Sequence, residues 1–286
     1  MKTQDGDRCW QPLHPAVKAL ALYARRSPDH PAKVRILKLL AASLPLNAWI
    51  YLEPRNETRF LAVPSDFIGW EILTKGCFEP ESLALSRRLL ERHGGWFADV
   101  GAHHGLFTCT MSAARDVRVL SFEPNPASFL RLRDNVGRNN RPSVHLVHAA
   151  VAAESCLVPW RHAGTEGGTT AWSHMARDGE QADYLVPAVP FYGVVSDLGW
   201  GGPTVVKMDV EGAELSALAG FDFDAQRPRF LLMEAEPLWP EKSAFMIAHG
   251  YSAFGEGGRP LGGEGSQPFL EGNALFVDDG LSDWQW

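Results

Sequence analysis

Carboxylates cluster directly after an apolar segment in the second half of the chain. Asp209, Glu211 and Glu214 follow the residues Val-Val-Lys-Met at 205–208. A carboxylate beside a substrate can take a proton from a reacting hydroxyl, although carboxylates also stabilise the start of a helix through its dipole. We predict an acidic site at the end of this segment, with Asp209 both as a cofactor contact and as the first candidate for a general base.

A glycine-bearing turn follows another apolar segment and could hold a ligand of mixed charge. The residues at 99–105 read Asp-Val-Gly-Ala-His-His-Gly. Gly101 and Gly105 permit a tight turn with amides near a ligand carboxylate, and Asp99 can lie near a cationic amino group. The dinucleotide fingerprint G-x-G-x-x-G needs a third glycine that is missing here, so a ligand without a pyrophosphate fits better. S-adenosylmethionine is such a ligand, with a carboxylate, an ammonium and a sulfonium.

Two histidines lie inside this turn. An imidazole titrates near neutral pH, so His104 and His103 are further candidates, beside Glu236, for the group that accepts a hydroxyl proton. We assign His103 to the cofactor side of the same turn. The alternative for both is that they only pack against the ligand, and the sequence leaves this open.

An acidic residue follows the next apolar segment at the distance that nucleoside-binding sheets use. Glu123 lies 22 residues after Gly101. A carboxylate about 20 residues beyond the glycine turn accepts hydrogen bonds from ribose hydroxyls in such sheets. Pro124 and Asn125 complete this side of the cofactor site, and Asn125 is also predicted to cap a helix that starts at Pro126.

A glycine-rich stretch at 164–168 precedes small hydroxyl side chains and an aromatic ring. Thr170 could contact the cofactor and Trp172 could stack on it, so we predict a lid or an adenine-side loop. A plain surface loop is the alternative.

The acidic segment ends also raise the question of a metal. Asp209, Glu234 and Glu236 could hold Mg²⁺, since hard cations favour carboxylate ligands, but their spacing alone does not establish a site. We expect no metal ligands, with a divalent metal as the less favoured alternative. Glu234 or Glu236 could instead face the acceptor.

These groups must be positioned by strands and helices. From residue 96 onward apolar segments alternate with helical ones, which predicts a parallel sheet covered on both faces. Ligands of such sheets bind beyond the carboxyl ends of the strands, where the residues above lie. We expect an α/β fold with a doubly wound, mostly parallel seven-stranded, Rossmann-like sheet. Its strands are predicted at 96–100, 117–122, 144–149, 204–208, 230–234, 250–254 and 274–277.

The chain before this sheet reads differently. Residues 1–93 are predicted to form an extension of helices and a small hairpin packed on the core, and residues 94–286 the main domain. One helical stripe in the extension is typical of a face turned to a core. Its members are Val34, Leu37, Leu40 and Leu44. Residues 150–192 show less regular patterning, and we expect irregular structure there.

Composition excludes several classes of partner. The net charge is −7 without a cluster of Lys and Arg, which argues against binding nucleic acid. The 4 cysteines are scattered, which indicates reduced thiols and a cytoplasmic protein. No stretch approaches the ~18 to 20 apolar residues of a membrane span, and no apolar region follows the N-terminus, so we expect no membrane partner. A homodimer stays open.

Four ordered motifs resemble those of the FkbM-type methyltransferase family. They are D-V-G-A-x-x-G-L-F-T at 99–108, F-E-P-N-P at 122–126, R-L-R-D-N at 131–135 and K-M-D-V-E-G-A-E at 207–214. The resemblance implies a class I methyltransferase that uses S-adenosylmethionine to methylate a hydroxyl of a sugar, polyketide or related small metabolite. The family motif has Asn where this chain has His103. The resemblance assigns roles to Gly101 and Gly105 in the cofactor turn, Glu123 at the ribose, and Asp209, Glu211 and Glu214 in an acidic turn.

Other readings stay open at this point. Segments 1–75 and 240–272 lack the family motifs and are expected to shape the acceptor pocket. N- or C-methylation would fit the same cofactor. The competing functions are a nicotinamide-dependent oxidoreductase of Rossmann type and a non-catalytic module that binds the cofactor and serves a partner.

Overall fold

The computed structural model describes most of the chain. The described residues are 11–12, 14–44, 50–53, 58–62, 66–114, 116–161, 174–176, 180–236, 238–255, 257–261 and 272–281. Thr170, Trp172 and the stretch at 164–168 lie outside them, so the lid stays a prediction. Among the helices of the described part, none has the length and apolar character needed to cross a membrane.

The N-terminal third combines helices with a small antiparallel sheet. In chain order its described elements are β1 (Gln11–Pro12), α1 (Pro15–Arg26), α2 (Lys33–Ala42), β2 (Ile50–Glu53), β3 (Thr58–Leu61), α3 (Phe67–Lys75) and α4 (Pro80–His93). The strands pair in the order β1–β2–β3, and β2 with β3 forms the predicted hairpin.

The rest of the chain alternates strands and helices. Its described elements are β4 (Trp96–Val100), α5 (Leu106–Met111), β5 (Arg118–Phe122), α6 (Pro126–Arg138), β6 (Val144–Val147), β7 (Ala150–Val151), β8 (Cys156–Arg161), β9 (His174–Met175), β10 (Tyr184–Val189), α7 (Phe191–Asp197), β11 (Val205–Met208), α8 (Glu214–Leu218), β12 (Phe230–Glu234), α9 (Trp239–Ala248), β13 (Tyr251–Gly255) and β14 (Asn273–Asp278).

The central sheet has seven strands in the order β13–β14–β12–β11–β4–β5–β6. The five strands from β12 to β6 run parallel, and β14 is antiparallel to both of its neighbours. This arrangement confirms the predicted α/β fold class. It also brings the carboxyl ends of β4, β5, β11 and β12 to one edge.

Strand alternation divides the core between the two faces of the sheet. Successive side chains of a strand point to opposite sides. Phe97 and Val205 therefore join the cluster that includes buried residues of α1 to α5. Ala98 and Val206 join the cluster that includes residues of α7, α8 and α9. The described helices of the extension thus pack on one face of the sheet, while a domain boundary at 93/94 stays a prediction.

The predicted apolar stripe of α2 is wrong at Val34 and Leu40, while Leu37 is buried and Leu44 packs against the core. Val34 and Leu40 are 55% and 48% exposed, whereas Leu37 and Ala41 are buried. The buried strip runs at four-residue steps from Lys33 through Leu37 to Ala41, because only a narrow face of α2 meets the core. The stem of Lys33 is buried in this strip while its Nζ reaches outward to Asp29 at 3.0 Å.

A second sheet occupies the region that the sequence predicts to be irregular. Four strands pair in the order β7–β10–β8–β9. Pro159 lies in β8 and Pro187 in β10, each paired to a leucine of the other strand. A proline inside an apolar run argues against a strand because it removes a backbone donor. For this reason the local sequence pattern does not predict the strands of this sheet.

Candidate cofactor and acceptor site

A cavity of about 250 Å³ lies at the edge where the strands β4, β5, β11 and β12 end. The predicted site residues on its wall are Gly101, His103, Glu123, Pro124, Asn125 and Asp209. These residues come from three separate turns, so the parallel sheet brings them together as the sequence predicts.

Gly101 fits a contact between two backbone turns. Its φ is +85°, and a Cβ atom there would collide with the backbone carbonyl oxygen of Asp209. The amide of Asp209 in turn donates to the carbonyl oxygen of Val100 at 2.9 Å. A glycine is required because the turns after β4 and β11 touch each other here.

The amides of the glycine turn are already engaged. Gly101 and Ala102 donate to the carbonyl oxygen of Phe122 at 3.0 and 2.9 Å. The His103 amide donates to Oε2 of Glu123 at 2.7 Å. These bonds tie the turn to the end of β5. The sequence predicts that the amides of this turn lie near a ligand carboxylate. In the structure these three amides instead form hydrogen bonds within the protein.

Glu123 is the best placed residue for a ribose diol. Its side chain is buried, and its Oε1 accepts from the amide of Asn125 at 2.8 Å while Oε2 accepts from that of His103. A carboxylate oxygen can accept two hydrogen bonds, so each oxygen keeps one direction for a hydroxyl. Burial raises the pKa of Glu123 to about 7, although the two amide bonds oppose this shift.

Asn125 fulfils its predicted second role. Its Oδ1 accepts from the amides of Ala127 and Ser128 at 2.9 and 3.2 Å, which caps α6. This cap fixes the start of α6 directly beside Glu123, so the wall of the cavity next to Glu123 is held in place by hydrogen bonds to backbone amides.

Asp99 lies behind the site rather than in its wall. Its Oδ2 accepts from Oγ1 of Thr108 at 2.5 Å, and Thr108 contacts the Ser121 hydroxyl at 2.7 Å. Strand alternation turns Val100 toward the cavity and Asp99 toward α5. Burial raises the pKa of Asp99 to about 6. The predicted contact with a ligand amino group is not what this geometry provides.

His103 and His104 have different surroundings. His103 lines the cavity and adopts φ +50°, a conformation in which Asn and His are enriched, so the two residue types can share this position. His104 is 1% exposed, and its Nδ1 lies 3.1 Å from Oδ2 of Asp66. Burial lowers the pKa of both imidazoles to about 3. The predicted role of His104 as proton acceptor fails here because His104 does not reach the cavity wall.

Asp209 lies on the cavity wall and is paired to a buried cation. Nζ of Lys207 lies 3.3 Å from Oδ2 of Asp209 and 3.3 Å from Oε2 of Glu79. Lys207 also donates to Oδ1 of Asn273 at 3.3 Å. Burial alone would lower the pKa of Lys207, but the two carboxylates outweigh it and the net shift is upward. Lys207 thus remains charged and joins the extension to the sheet.

The other carboxylates of the acidic turn divide into two roles. Glu211 lies on the cavity wall, whereas Glu214 is buried. Glu214 accepts from the amides of Val210 and Gly212 at 3.4 and 3.1 Å, and pairs with Lys242 at 3.3 Å. Glu214 therefore holds the shape of the turn, while Glu211 and Asp209 face the ligand space.

Glu234 and Glu236 differ in their position relative to the cavity, because β12 ends at Glu234. Glu234 lines the cavity and is half-buried, whereas Glu236 is exposed and not on the wall. Burial, together with the charges of Asp209 and Glu214, raises the pKa of Glu234 to about 7. Of the two residues, Glu234 is the one placed to face an acceptor.

Part of the wall comes from residues that the sequence does not single out. The apolar members are Phe67, Ile68, Phe78, Val158, Trp160, Met175 and Ala188. Glu79 of the extension also contributes. Of the two segments predicted to shape the acceptor pocket, 1–75 contributes Phe67 and Ile68 to the cavity wall, whereas no described residue of 240–272 lines it. Their contact with an acceptor stays a prediction. The sequence offers only a weak signal for these wall residues, which is that apolar residues adjoin polar ones at 66–68 and 76–80.

The group of potential metal ligands differs from the one considered in the sequence. Within the described residues, one atom each of Asp66, His103 and His104 lies within 4.8 Å of the others. Asp209, Glu234 and Glu236 form no such group in the described part of the chain. Burial raises the pKa of Asp66, against the nearby His103, Arg131 and Phe67 amide.

Comparison with known protein families gives a match to a methyltransferase family. The family model of the methyltransferase FkbM domain matches residues 99–256. A comparison with curated protein sequences gave no match.

Several solved structures resemble the chain at low identity. The precorrin-6y C5,15-methyltransferase of Geobacter metallireducens is 15% identical, with a TM-score of 0.41 over 70% of this chain and 87% of its own. An O-methyltransferase from Bacillus cereus in complex with SAH is 12% identical, with a TM-score of 0.40 over 90% of this chain and 95% of its own. The sequence identity and the TM-score are low in both comparisons, so the likeness says nothing about this chain's acceptor.

Proposed function

The chain belongs to the FkbM methyltransferase family, and we propose that it transfers the methyl group of S-adenosylmethionine to a hydroxyl of a small-molecule acceptor. The family match covers the glycine turn, Glu123 and the acidic turn, which line one cavity. The observation that carries the choice of a hydroxyl is the placement of Glu234 beside Asp209 on that cavity wall.

Binding of the cofactor is assigned to the ends of β4 and β5. Each oxygen of the Glu123 carboxylate accepts one amide hydrogen bond from the described residues, and a second direction on each oxygen suits the two hydroxyls of a ribose. Pro124 and Asn125 border the same space. When bound, the cofactor supplies a methyl group that is already activated by its sulfonium, so the protein mainly binds and orients.

Proton removal is assigned to the ends of β11 and β12. A hydroxyl acceptor must lose a proton as it attacks a methyl group, and a positioned base contributes about 10² to 10⁴ in rate. Asp209 is held in an ion pair with Lys207, whereas Glu234 has a pKa near 7 and is half-buried on the wall. We therefore assign proton acceptance to Glu234, with Asp209 and Lys207 fixing the polar edge around it.

Selection of a small acceptor rests on wall chemistry. The apolar rings of Phe67, Phe78 and Trp160 on the wall of the cavity suit an apolar or aromatic body carrying one hydroxyl. A net charge of −7 disfavours nucleic-acid acceptors. No observation on the described residues favours the nicotinamide alternative.

The test uses methyl-labelled S-adenosylmethionine with a panel of hydroxylated and amine-bearing metabolites, followed by mass spectrometry of the product. Glu234→Gln should lower kcat by about 10² to 10⁴ on a hydroxyl acceptor without weakening cofactor binding. The matched control is Glu236→Gln, which removes an exposed carboxylate two residues away and should leave kcat unchanged.

Two results would overturn parts of this proposal. Label found only on nitrogen or carbon would contradict hydroxyl methylation. Full turnover by Glu234→Gln would remove Glu234 as the proton acceptor.

A further inference from the structure

Three side chains with metal-ligand chemistry meet behind the glycine turn. Asp66 lies directly before α3, and His103 and His104 lie in the turn after β4. One potential ligand atom from each lies within 4.8 Å of the other two. Nδ1 of His104 is 3.1 Å from Oδ2 of Asp66. The two imidazole rings stack with their centroids 3.8 Å apart, so rotation of a ring about its χ2 would be needed to aim both at one ion. The sequence separates Asp66 from the histidines by 37 residues or more, so only the fold joins them.

The Asp66 carboxylate is the unusual member of this group. It is 1% exposed, and among the described residues neither of its oxygens accepts a hydrogen bond of good geometry. Asp66 occupies the cap position of α3, where an aspartate usually bonds to helix amides, yet it makes no capping bond. A buried carboxylate needs a compensating partner. The side chain lies against the imidazoles, with its Oδ2 3.1 Å from Nδ1 of His104.

We propose that Asp66, His103 and His104 bind one divalent transition-metal ion, a site that goes beyond the proposed methyl transfer. Two imidazoles and one carboxylate suit Zn²⁺, Co²⁺ or Fe²⁺, whereas Mg²⁺ and Ca²⁺ prefer oxygen ligands alone. The ligand set differs from the carboxylates around Asp209, so the site is not part of the acidic turn.

The position of the site indicates a structural role. Asp66 belongs to the extension, whereas the histidines belong to the turn that assembles the cofactor side. The His103 amide donates to Glu123, and the His104 carbonyl oxygen accepts from Nδ2 of Asn135 at 2.8 Å. A metal held by these three residues would clamp the extension to the turn that orients Glu123. Metal loading should therefore strengthen cofactor binding without touching the reacting atoms.

One nearby charge opposes a cation. Arg131 of α6 lies close enough to lower the pKa of Asp66 and of both histidines. Removing that charge should tighten metal binding, whereas removing a ligand should weaken it. The two changes thus have opposite signs, which a loss of folding would not produce.

The test uses full-length protein stripped with a chelator and titrated with Zn²⁺ or Co²⁺ alone, the latter read by its visible absorption. Wild type should bind one equivalent. Asp66→Asn and His104→Gln should bind at least about tenfold more weakly, and Arg131→Gln more tightly. His148→Gln is the matched control, because His148 stacks on Phe129 away from the group and should leave metal affinity unchanged.

The failure of this site can be told apart from failure of the methyltransferase assignment. Binding of S-adenosylhomocysteine and the thermal midpoint are measured on the same metal-free samples. If wild type binds that ligand but takes up neither metal stoichiometrically, the metal site is wrong and the proposed function stands. Equal metal affinity in wild type, Asp66→Asn and His104→Gln would also overturn it. His103→Gln provides a second ligand variant should His104→Gln fail to fold.

Discussion

The proposed cofactor side and the proposed acceptor side of the cavity are built differently. On the cofactor side, the amides of Gly101 and His103 donate to the carbonyl oxygen of Phe122 and the carboxylate of Glu123, at the ends of two adjacent parallel strands. On the acceptor side, Phe78 of the extension and Trp160 of the small sheet supply side chains from distant parts of the chain. The first side is fixed by the backbone, and the second by packing, so the two should respond differently to substitution.

The largest effect is expected where two backbone turns touch. In Gly101→Ala a Cβ would meet the carbonyl oxygen of Asp209 at a φ that L-residues rarely adopt. Affinity for S-adenosylhomocysteine should fall at least about 100-fold, and the free energy of unfolding by about 2 kcal/mol or more. Calorimetry and denaturant unfolding measure these quantities.

Gly137→Ala is the control for this change. Gly137 lies inside α6, and a Cβ there would meet nothing within 4 Å. Alanine in a helix should raise the free energy of unfolding by about 0.5 to 1 kcal/mol and leave cofactor affinity alone. Similar behaviour of the two variants would contradict the contact between the turns.

A smaller effect concerns pH on the cofactor side. With its pKa raised to about 7, Glu123 takes up a proton as the pH falls through 7. Affinity for S-adenosylhomocysteine should then fall by up to about tenfold per pH unit. Stability of the unliganded chain has the opposite sign. A carboxyl whose pKa is raised on folding stabilises the fold below its ordinary pKa of 4.5, and this contribution is lost as pH rises through about 7.

Two variants separate Glu123 from Glu234, which titrates in the same range. Glu123→Gln should flatten the pH dependence of affinity, while Glu234→Gln should preserve it, because the thioether of this ligand is uncharged. If the affinity of Glu123→Gln for S-adenosylhomocysteine still depends on pH in the same way, the assignment of this pH dependence to Glu123 is wrong.

The smallest effect is expected on the acceptor side. Phe78→Ala removes a partly buried ring from the wall, and the acceptor KM should rise about tenfold because burial of such a ring is worth about 1.5 to 3 kcal/mol at most. Affinity for S-adenosylhomocysteine should change less than about twofold. Tyr192→Ala, which removes an exposed ring outside the wall, is the control. A large loss of cofactor affinity in Phe78→Ala would erase the contrast between the two sides.

The same contrast explains what the sequence could predict. Glu123, Asn125 and the glycine turn follow apolar segments directly, so local patterns place them at strand ends and the structure agrees. The small sheet stays hidden because Pro159 and Pro187 break the local pattern of a strand. Residues of the extension reach the cavity only through tertiary packing, which no short pattern encodes.

The directions in which some side chains point were also not predictable from the sequence. Asp99 and His104 belong to the right turn, yet both point away from the cavity, toward Thr108 and Asp66. Sequence spacing places a residue near a strand end, but strand alternation and neighbouring elements decide which way its side chain points. The group formed by Asp66, His103 and His104 follows from the same packing.

The central claim is that Glu123 binds the cofactor at this sheet edge. Calorimetric titration of S-adenosylhomocysteine into wild type and Glu123→Gln at pH 8 tests it most directly. We predict one site in wild type and a roughly 10- to 100-fold weaker one in the variant, since a hydrogen bond to a charged group is worth about 1.5 to 3 kcal/mol. Absence of binding to wild type, or equal affinity in the two proteins, would contradict the claim.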